Sequence, residues 1–342
     1  MKKKLVYVGF AFGHHIKTHS GYHQIKNYIN YDIIIDGQKD YDFVFNKIER
    51  LPNFLKEYYR RYFGWRLWFT ELRCIIRALF FKNQIFHIIY GENILKNLGR
   101  FKGKSNKIVC TYHQTFDMFK KNEEWLTSAK YVDKIILVSK IDIERFRKVN
   151  NNTIVKFIPH GVNTKYYTPA NSKREKSVLM VGNWQRDFTF ANQVFKKILE
   201  ENNDIKIDIV TNKNNYIFFD THPRIYLRSA ISDKKLKCLY QKAGVVFFPL
   251  IEFTANNAIL EAASCGADII IATYNKNYSY FNERSVTFID LDIKLSASTI
   301  LHKLIENKKT DNYKNREFVI KQYSWERIAN ITCDFLYNGF DL

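Results

Sequence analysis

Short apolar runs rich in β-branched residues alternate with stretches of helical spacing along the whole chain. "KLVYVGFAF" near the start is such a run, "YHQIKNYI" follows with helical spacing and Ser20 as its N-cap, and "YDIIID" reads as a second strand. "NQIFHIIYG", "NKIVCTYH", "DKIILVSK" and "NTIVKFIPHG" are further strands, each closed by polar or turn residues. Unbroken apolar strands separated by helices predict a parallel sheet buried on both faces. The rhythm stops at 165–176, "KYYTPANSKREK", which has Pro, Asn, Ser and charges but no apolar period, and reads as a linker. It then restarts. "SVLMVGN", "DIKIDIVTN", "GVVFFPL" and "ADIIIAT" read as strands and "FANQVFKKILE" as a helix. "SDKKLKCLYQKA" is a helix with Ser232 as its N-cap, and "NNAILEAASCG" is one closed by Gly266. The last segment, "YSWERIANITCDFLY", is one more helix. The pattern therefore predicts two doubly wound α/β domains, 1–167 and 168–324, with a terminal helix 325–342 packing back on the first. Ligands of such sheets bind at the carboxyl ends of the strands, here in a cleft between the domains.

Composition adds bounds to this picture. A chain of 342 residues, 46% hydrophobic and 26% charged, is long enough for two cores and resembles neither a disordered nor a fibrous protein. No apolar run reaches the ~18 residues a membrane-spanning helix needs. The start, "MKKKLVYVGFAFG", has the basic front of a signal peptide but no small-residue cleavage site, and reads better as a buried first strand. The five cysteines form no C-x-x-C pair, so free thiols in a reducing, cytoplasmic compartment are expected. Charge is uneven: residues 1–165 hold 30 Lys+Arg against 14 Asp+Glu, and residues 166–342 hold 24 against 20. A basic first half implies an anionic partner, although a lysine-rich composition accounts for part of the excess.

One basic segment is also aromatic. Residues 50–82 mix Arg50, Lys56, Arg60, Arg61, Arg66, Arg73, Arg77 and Lys82 with eight aromatic residues between Phe54 and Phe69, against two acids, Glu57 and Glu71. Such a mixture on helices suits an anionic membrane surface; a helix pair with an aromatic core and solvated arginines reads equally well. Nucleic acid is not expected, since no recognised binding motif is present.

The chemistry gathers at strand ends. After Pro249 a loop leads to a helix opening at Asn256 and Asn257 and carrying Glu261. Its free N–H groups and dipole make an anion site, and Glu261 is placed to accept hydrogen bonds from a ribose diol. Such a site holds a nucleotide diphosphate without a metal. Arg186 in "NWQRD" is the nearby cation, with a fork suited to phosphate oxygens. The stretch "GHHIKTHSGYHQ" holds His14, His15, His19 and His23, three of them at i, i+4, i+8. Gly13 and Gly21, and its place after a strand, argue for a loop touching phosphate or sugar rather than a metal-binding helix face. The two D-x-D pairs, Asp40/Asp42 in a loop and Asp290/Asp292 before a late helix, read as turn or cap carboxylates.

With "VSKIDIERF", "IPHGVNTKYYTP", "VGNWQRD", "SDKKLKCLYQKAGVVFFPLIE" and "NNAILEAASCGADIIIAT" in this order, the chain resembles retaining glycosyltransferases of the GT-B fold, the family 4 type. The resemblance implies two Rossmann-like domains facing a central cleft. It also implies transfer of a sugar from a nucleotide-diphosphate donor to a hydroxyl acceptor, a glycan or a lipid-linked acceptor in cell-surface polysaccharide or glycolipid synthesis. By it, Glu261 is the second glutamate of the E-x7-E motif. The first falls on Phe253, with Glu252 one residue further away as its replacement. The family's phosphate-binding Arg and Lys fall on Asn183 and Phe188, leaving Arg186 to hold the diphosphate. Gly21 is the close-approach glycine of the donor loop, and His113 the histidine that contacts the transferred sugar. Glu92 and His19 are assigned to the acceptor. No metal or other cofactor is implied, and the location is cytoplasmic, peripheral on the inner membrane face. An epimerase of the same fold and a non-catalytic nucleotide-binding scaffold are the alternatives. A dehydrogenase is excluded by the absence of G-x-G-x-x-G spacing in "YVGFAFGHH".

Overall fold

Each half of the chain builds its own six-stranded parallel sheet. The computed structural model describes residues 3–63, 66–171, 173–252, 254–274, 280–281, 286–306 and 313–340. The first sheet contains β1 (Lys4–Gly9), β2 (Ile33–Asp36), β3 (Gln84–Ile88), β4 (Lys107–Tyr112), β5 (Lys134–Leu137) and β6 (Ile154–Phe157), in the order β2-β1-β3-β4-β5-β6. The second contains β7 (Ser177–Val181), β8 (Lys206–Val210), β9 (Ile225–Arg228), β10 (Val245–Leu250), β11 (Asp268–Thr273) and β12 (Thr287–Ile289), in the order β12-β11-β10-β7-β8-β9. Every ladder is parallel; β1, for example, pairs Val6 with Ile33 on one side and with Phe86 on the other. The central strands β3, β5, β7 and β10 are buried along their whole length, as sheets covered on both faces require.

The two short edge strands β9 and β12 escape the hydrophobic pattern. Both are partly exposed and carry polar residues, so they lack the unbroken apolar run of an inner strand. The segment after β1 also differs from expectation. Tyr22–Asn27 is a 3-10 helix with Gly21 at its cap, in place of a longer helix capped by Ser20. Asp40 and Asp42 lie in a short helix, Gln38–Asp42, where Asp40 accepts the Thr70 hydroxyl and Asp42 accepts Gln38 and Asn46 side chains. Asp292 accepts the Leu295 N–H at the start of the late helix, as a cap does.

The helices used below are α1 (Asn53–Phe63), α2 (Trp68–Phe80), α3 (Gly91–Ile94), α4 (Phe188–Glu201), α5 (Asp233–Lys242), α6 (Asn257–Ser264), α7 (Ile293–Glu306) and α8 (Trp325–Tyr337). In the second unit α4 and α7 cover one sheet face, with Phe195, Ile198, Phe247 and Ile300 in its core. The chain divides into two compact units, residues 1–160 with 328–342, and 161–327. The stretch read as a linker is partly packed: Tyr167 is buried, its hydroxyl donates to Asp233 at 2.7 Å, and its carbonyl accepts from Ser264 Oγ at 2.6 Å.

The far end of α8 is held to the first sheet by a buried lysine. Lys134 Nζ, on β5, donates to the carbonyls of Phe335, at 2.7 Å, and of Asn338, and lies over the Phe340 ring. These carbonyls are ones a helix end leaves unpaired, so the lysine satisfies a need the helix cannot meet itself. Lys134→Met keeps the volume and removes both hydrogen bonds. It is expected to cost about 2 kcal/mol in urea unfolding of the first unit, and to expose residues 328–340 to protease first.

Candidate active site

In the second unit the loop after β7 is built around two left-handed residues. Gly182 has φ of 120° and Gln185 of 55°. A Cβ on Gly182 would lie 2.5 Å from Arg186 Nη2, so the glycine is needed for both its backbone and its lack of a side chain. The loop then hooks onto the end of β10: Asp187 N donates to Pro249 O, Ile251 N to Gln185 O, and Arg186 bridges to Leu250. Asp187 accepts Phe190 N–H and starts α4.

This hook turns Arg186 inward, leaving it 9% exposed. Its Nε and Nη2 donate to Val181 O, both at 3.1 Å, its Nη1 to Trp184 O at 2.8 Å, and its Nη2 to Asn256 Oδ1 at 3.4 Å. Among the described residues no carboxylate pairs with it. Burial lowers its pKa to about 10, which still leaves it charged at neutral pH. Asn256 is the N-cap of α6, yet its side chain caps no helix N–H. The start of α6, including Asn257, thus presents peptide N–H groups without a side-chain cap, beside a cation without a counter-ion.

Glu261 lies one turn into α6, buried, and its Oε2 accepts the Tyr240 hydroxyl of α5 at 3.2 Å. Tyr240 also lies within electrostatic reach of Arg186, so it stands between the two candidate groups. Sequence patterning does not single out Tyr240; the only trace is a tyrosine within the otherwise polar helix "SDKKLKCLYQKA". Nor does it mark Trp184, whose side chain is exposed. Glu252 is half-buried in the loop after β10, and Phe253 lies outside the described residues. Asn183 Oδ1 accepts from Thr211 Oγ1 and Asn212 N, and Phe188 stacks on Phe218, so neither position supplies a cation.

The first unit brings together a different chemistry. Gly21, at φ of 94°, faces the rings of His15 and His23; a Cβ there would meet both within 3.0 Å. Tyr22 packs edge-on against His113 at 4.9 Å and His160 at 5.3 Å. His113, at the end of β4, is also 4.8 Å from Tyr90 and donates from Nε2 to Ile89 O at 2.9 Å. Glu92, in α3, accepts the backbone N–H groups of His113 and Gln114. So Gly21, Glu92 and His113 converge through Tyr22 and Tyr90, two residues that sequence patterning does not mark, while His19 is half-buried in the loop before Gly21. Burial lowers the pKa of His113 and His23 to about 4 and of His15 to about 2, so these rings are neutral at pH 7. Burial raises the Glu92 carboxyl to about 7, although backbone N–H groups oppose the rise. Among the described residues no group of three or more His, Cys, Asp or Glu side chains is arranged to hold a metal ion.

Both clusters occupy equivalent places. In the first sheet the strand order reverses between β1 and β3, and the loops after those strands carry Gly21 and Glu92. In the second it reverses between β7 and β10, and the loops after those strands carry Arg186 and Asn256. These are the switch points at which doubly wound sheets bind ligands. The chain matches no protein family and no curated protein by sequence. It does match solved structures along its length. The N-terminal domain of Candida albicans trehalose-6-phosphate phosphatase is 13% identical and superposes with a TM-score of 0.71 over 99% of this chain and 98% of that one. A trehalose-6-phosphate synthase studied for glycosyl transfer with retention is 12% identical, with a TM-score of 0.65 over 97% and 98%. A point mutant of S. aureus TarM, in complex with fondaparinux, α-GlcNAc-glycerol and UDP, is 13% identical, with a TM-score of 0.60 over 79% and 59%. The fold is GT-B.

Within that GT-B fold the N-terminal unit has a clear acid-stability signature. Burial lowers the pKa of His15, His23, His113 and His87, the last to about 3 in a pocket closed by Tyr31 and Thr111. A group depressed in the folded state stabilises it above its unfolded pKa near 6.5 and loses that contribution as pH falls. Glu92 has the opposite sign: its contribution is complete below its unfolded pKa and is lost as pH rises through about 7. From pH 7 to pH 5 each histidine gives up at most about 2 kcal/mol and the single carboxyl regains about as much. The thermal midpoint should therefore fall over this interval. Glu92→Gln should steepen the fall and His87→Gln should flatten it, measured by circular dichroism melts at pH 7, 6 and 5.

Proposed function

We propose that the protein is a retaining glycosyltransferase that moves a sugar from a nucleotide-diphosphate donor to a hydroxyl acceptor in cell-surface polysaccharide or glycolipid synthesis. The observation that supports it most is the guanidinium of Arg186: buried, charged, held by carbonyl and amide oxygens and lying over the Phe248 ring, with no carboxylate paired to it among the described residues. Taking such a cation out of water costs several kcal/mol unless an anion compensates it. The start of α6 adds peptide dipoles of the same sign. A pyrophosphate fits this pair and needs no metal to offset its charge. As the bond between the sugar and the diphosphate breaks, negative charge grows on the leaving oxygen, and these fixed donors stabilise it.

In this reading Glu261 holds the ribose diol and is itself oriented by Tyr240, and Glu252 faces the donor sugar. Gly21 allows the backbone of its loop to approach the donor. His113, neutral and fixed by its bond to Ile89 O, presents its ring to the transferred sugar. Glu92 and His19 receive the acceptor. Retention rests on the likeness to the synthase above, and no protein nucleophile is required. A non-catalytic nucleotide-binding scaffold is the second reading, favoured by the loss of cations at Asn183 and Phe188.

Thermal shift against UDP-, GDP- and CMP-sugars tests the donor site. One nucleotide series should raise the melting temperature, with no effect of RNA or DNA. Arg186→Ala should weaken that nucleotide at least about tenfold, in keeping with loss of a charge-assisted contact. Asn256→Ala should weaken it less. A wild type that binds the nucleotide-sugar but transfers no sugar to any glycan or lipid-linked acceptor would leave the scaffold reading standing.

A further inference from the structure

The described residues of the N-terminal unit leave the outward side of α2 exposed. Phe69, Leu72, Ile76, Leu79 and Phe80 are 59%, 48%, 47%, 61% and 78% exposed. Thr70, Glu71, Cys74 and Ala78 are the buried positions of the same helix. At about 100° per residue the five exposed side chains form one stripe roughly 100° wide, facing away from the buried positions. α1 adds exposed Phe54 and Tyr58, and none of its described side chains is buried. Isolated exposed apolar residues are ordinary, but a continuous stripe of this size marks a contact surface.

Charge decides what the surface contacts. Arg73 and Arg77 run along one flank of the stripe, Arg73 half-exposed with Nη2 donating to Asp36 O and 3.9 Å from Asp40, and Arg77 half-buried with Nε donating to Gln84; Arg50, Arg61 and Lys82 are exposed nearby. Of the two acids of the segment, Glu71 is turned inward, accepting the N–H groups of Lys96, Asn97 and Leu98, and Glu57 is exposed on α1. Arg66 is also withdrawn: it is buried, bonded to Leu95 O, and paired with Glu124 at 3.2 Å. It is therefore no part of the basic surface, contrary to the reading of residues 50–82 as a whole. A basic rim opposes pairing with a second copy, which would bring like charges together. A convex apolar stripe with cationic flanks and aromatic residues at both ends has the form of a helix lying in a lipid interface.

We propose that the Phe69–Phe80 stripe of α2 docks the protein on an anionic lipid bilayer. The apolar side chains enter the acyl boundary, and the arginine flank with Arg61 and Lys82 meets the headgroups. This extends the reading above by naming the surface that brings a lipid-linked acceptor within reach, and its test is separate from that reading.

The full chain is floated with vesicles of phosphatidylcholine containing phosphatidylglycerol, and with vesicles of phosphatidylcholine alone. Binding to the anionic vesicles should exceed binding to the neutral ones at least about tenfold and weaken in high salt, as screened charge pairs do. The double variant I76E/L79E should lose at least about tenfold in vesicle affinity. Its melting temperature and nucleotide-induced shift should stay unchanged, because both positions are exposed. The variant R61E/K82E should lose the preference for anionic lipid. Unchanged binding by I76E/L79E, equal binding to neutral vesicles, or a solution dimer that I76E/L79E dissociates while the wild type ignores vesicles, would each overturn the proposal. Vesicle binding without a nucleotide shift would overturn the donor reading and leave the membrane face intact.

Discussion

A parallel sheet whose strand order reverses must leave one gap that its own connections cannot cover. The chain leaving one central strand goes to one face and the chain leaving its neighbour goes to the other, so the two strand ends stay open side by side. This constraint acts twice here, between β1 and β3 and between β7 and β10. All the converging polar groups described above lie at these two places. The buried ladders explain why: the inner strands are paired to neighbours on both sides and buried, so the loops at the open ends are left to carry chemistry.

The two gaps carry opposite kinds of groups. In the second unit Gly182 and Gln185 take left-handed conformations that let the loop double back on β10, and the result is a guanidinium caught among carbonyls. Three carbonyl contacts orient that cation without neutralising it. In the first unit the equivalent gap is lined by Tyr22, Tyr90, His15, His23 and His113, rings whose burial keeps them neutral. Gly21 is what lets those rings close up, since any side chain there would strike His15. One sheet end thus offers a fixed charge and the other a surface of mostly neutral rings beside the Glu92 carboxyl.

The sequence showed most of this architecture and less of the site. The ten strands read from apolar runs are present: the inner ones are buried and must be apolar, and the edges β2 and β6 still carry runs of β-branched residues that are visible in one dimension. The missed strands, Ile225–Arg228 and Thr287–Ile289, are half-exposed edges with no such obligation. The places of Gly21 and Asn256 in the fold, a left-handed turn and a helix start, follow from backbone rules that a sequence displays, and Arg186 stands out as the one cation in the loop "NWQRD". Tyr240 and Tyr90 were not, because a buried tyrosine looks like any core aromatic until its hydroxyl partner is known. The packed state of Arg66 and Glu71 was hidden for the same reason. Composition counts charges but cannot say which side of a helix holds them.

That distinction changes what the basic first half means. Its excess of cations does not converge on the open strand ends, where the lining groups are neutral imidazoles and phenols and a carboxyl. Part of it sits at the opposite end of the sheet, where Arg100, Lys102, Lys104 and Lys107 line a hollow of about 510 Å³ beneath β4, with Lys102 and Lys107 paired to Asp133. Part of it flanks the apolar side of α2. A field spread over the outside of a unit attracts extended anionic surfaces and fades within a Debye length, whereas a small phosphate ligand is held by one or two fixed donors at close range. The pyrophosphate proposed above would need only Arg186 and the start of α6, in the less charged half of the chain. Cations dispersed in this way suit the bilayer proposed above better than they suit a small phosphate ligand.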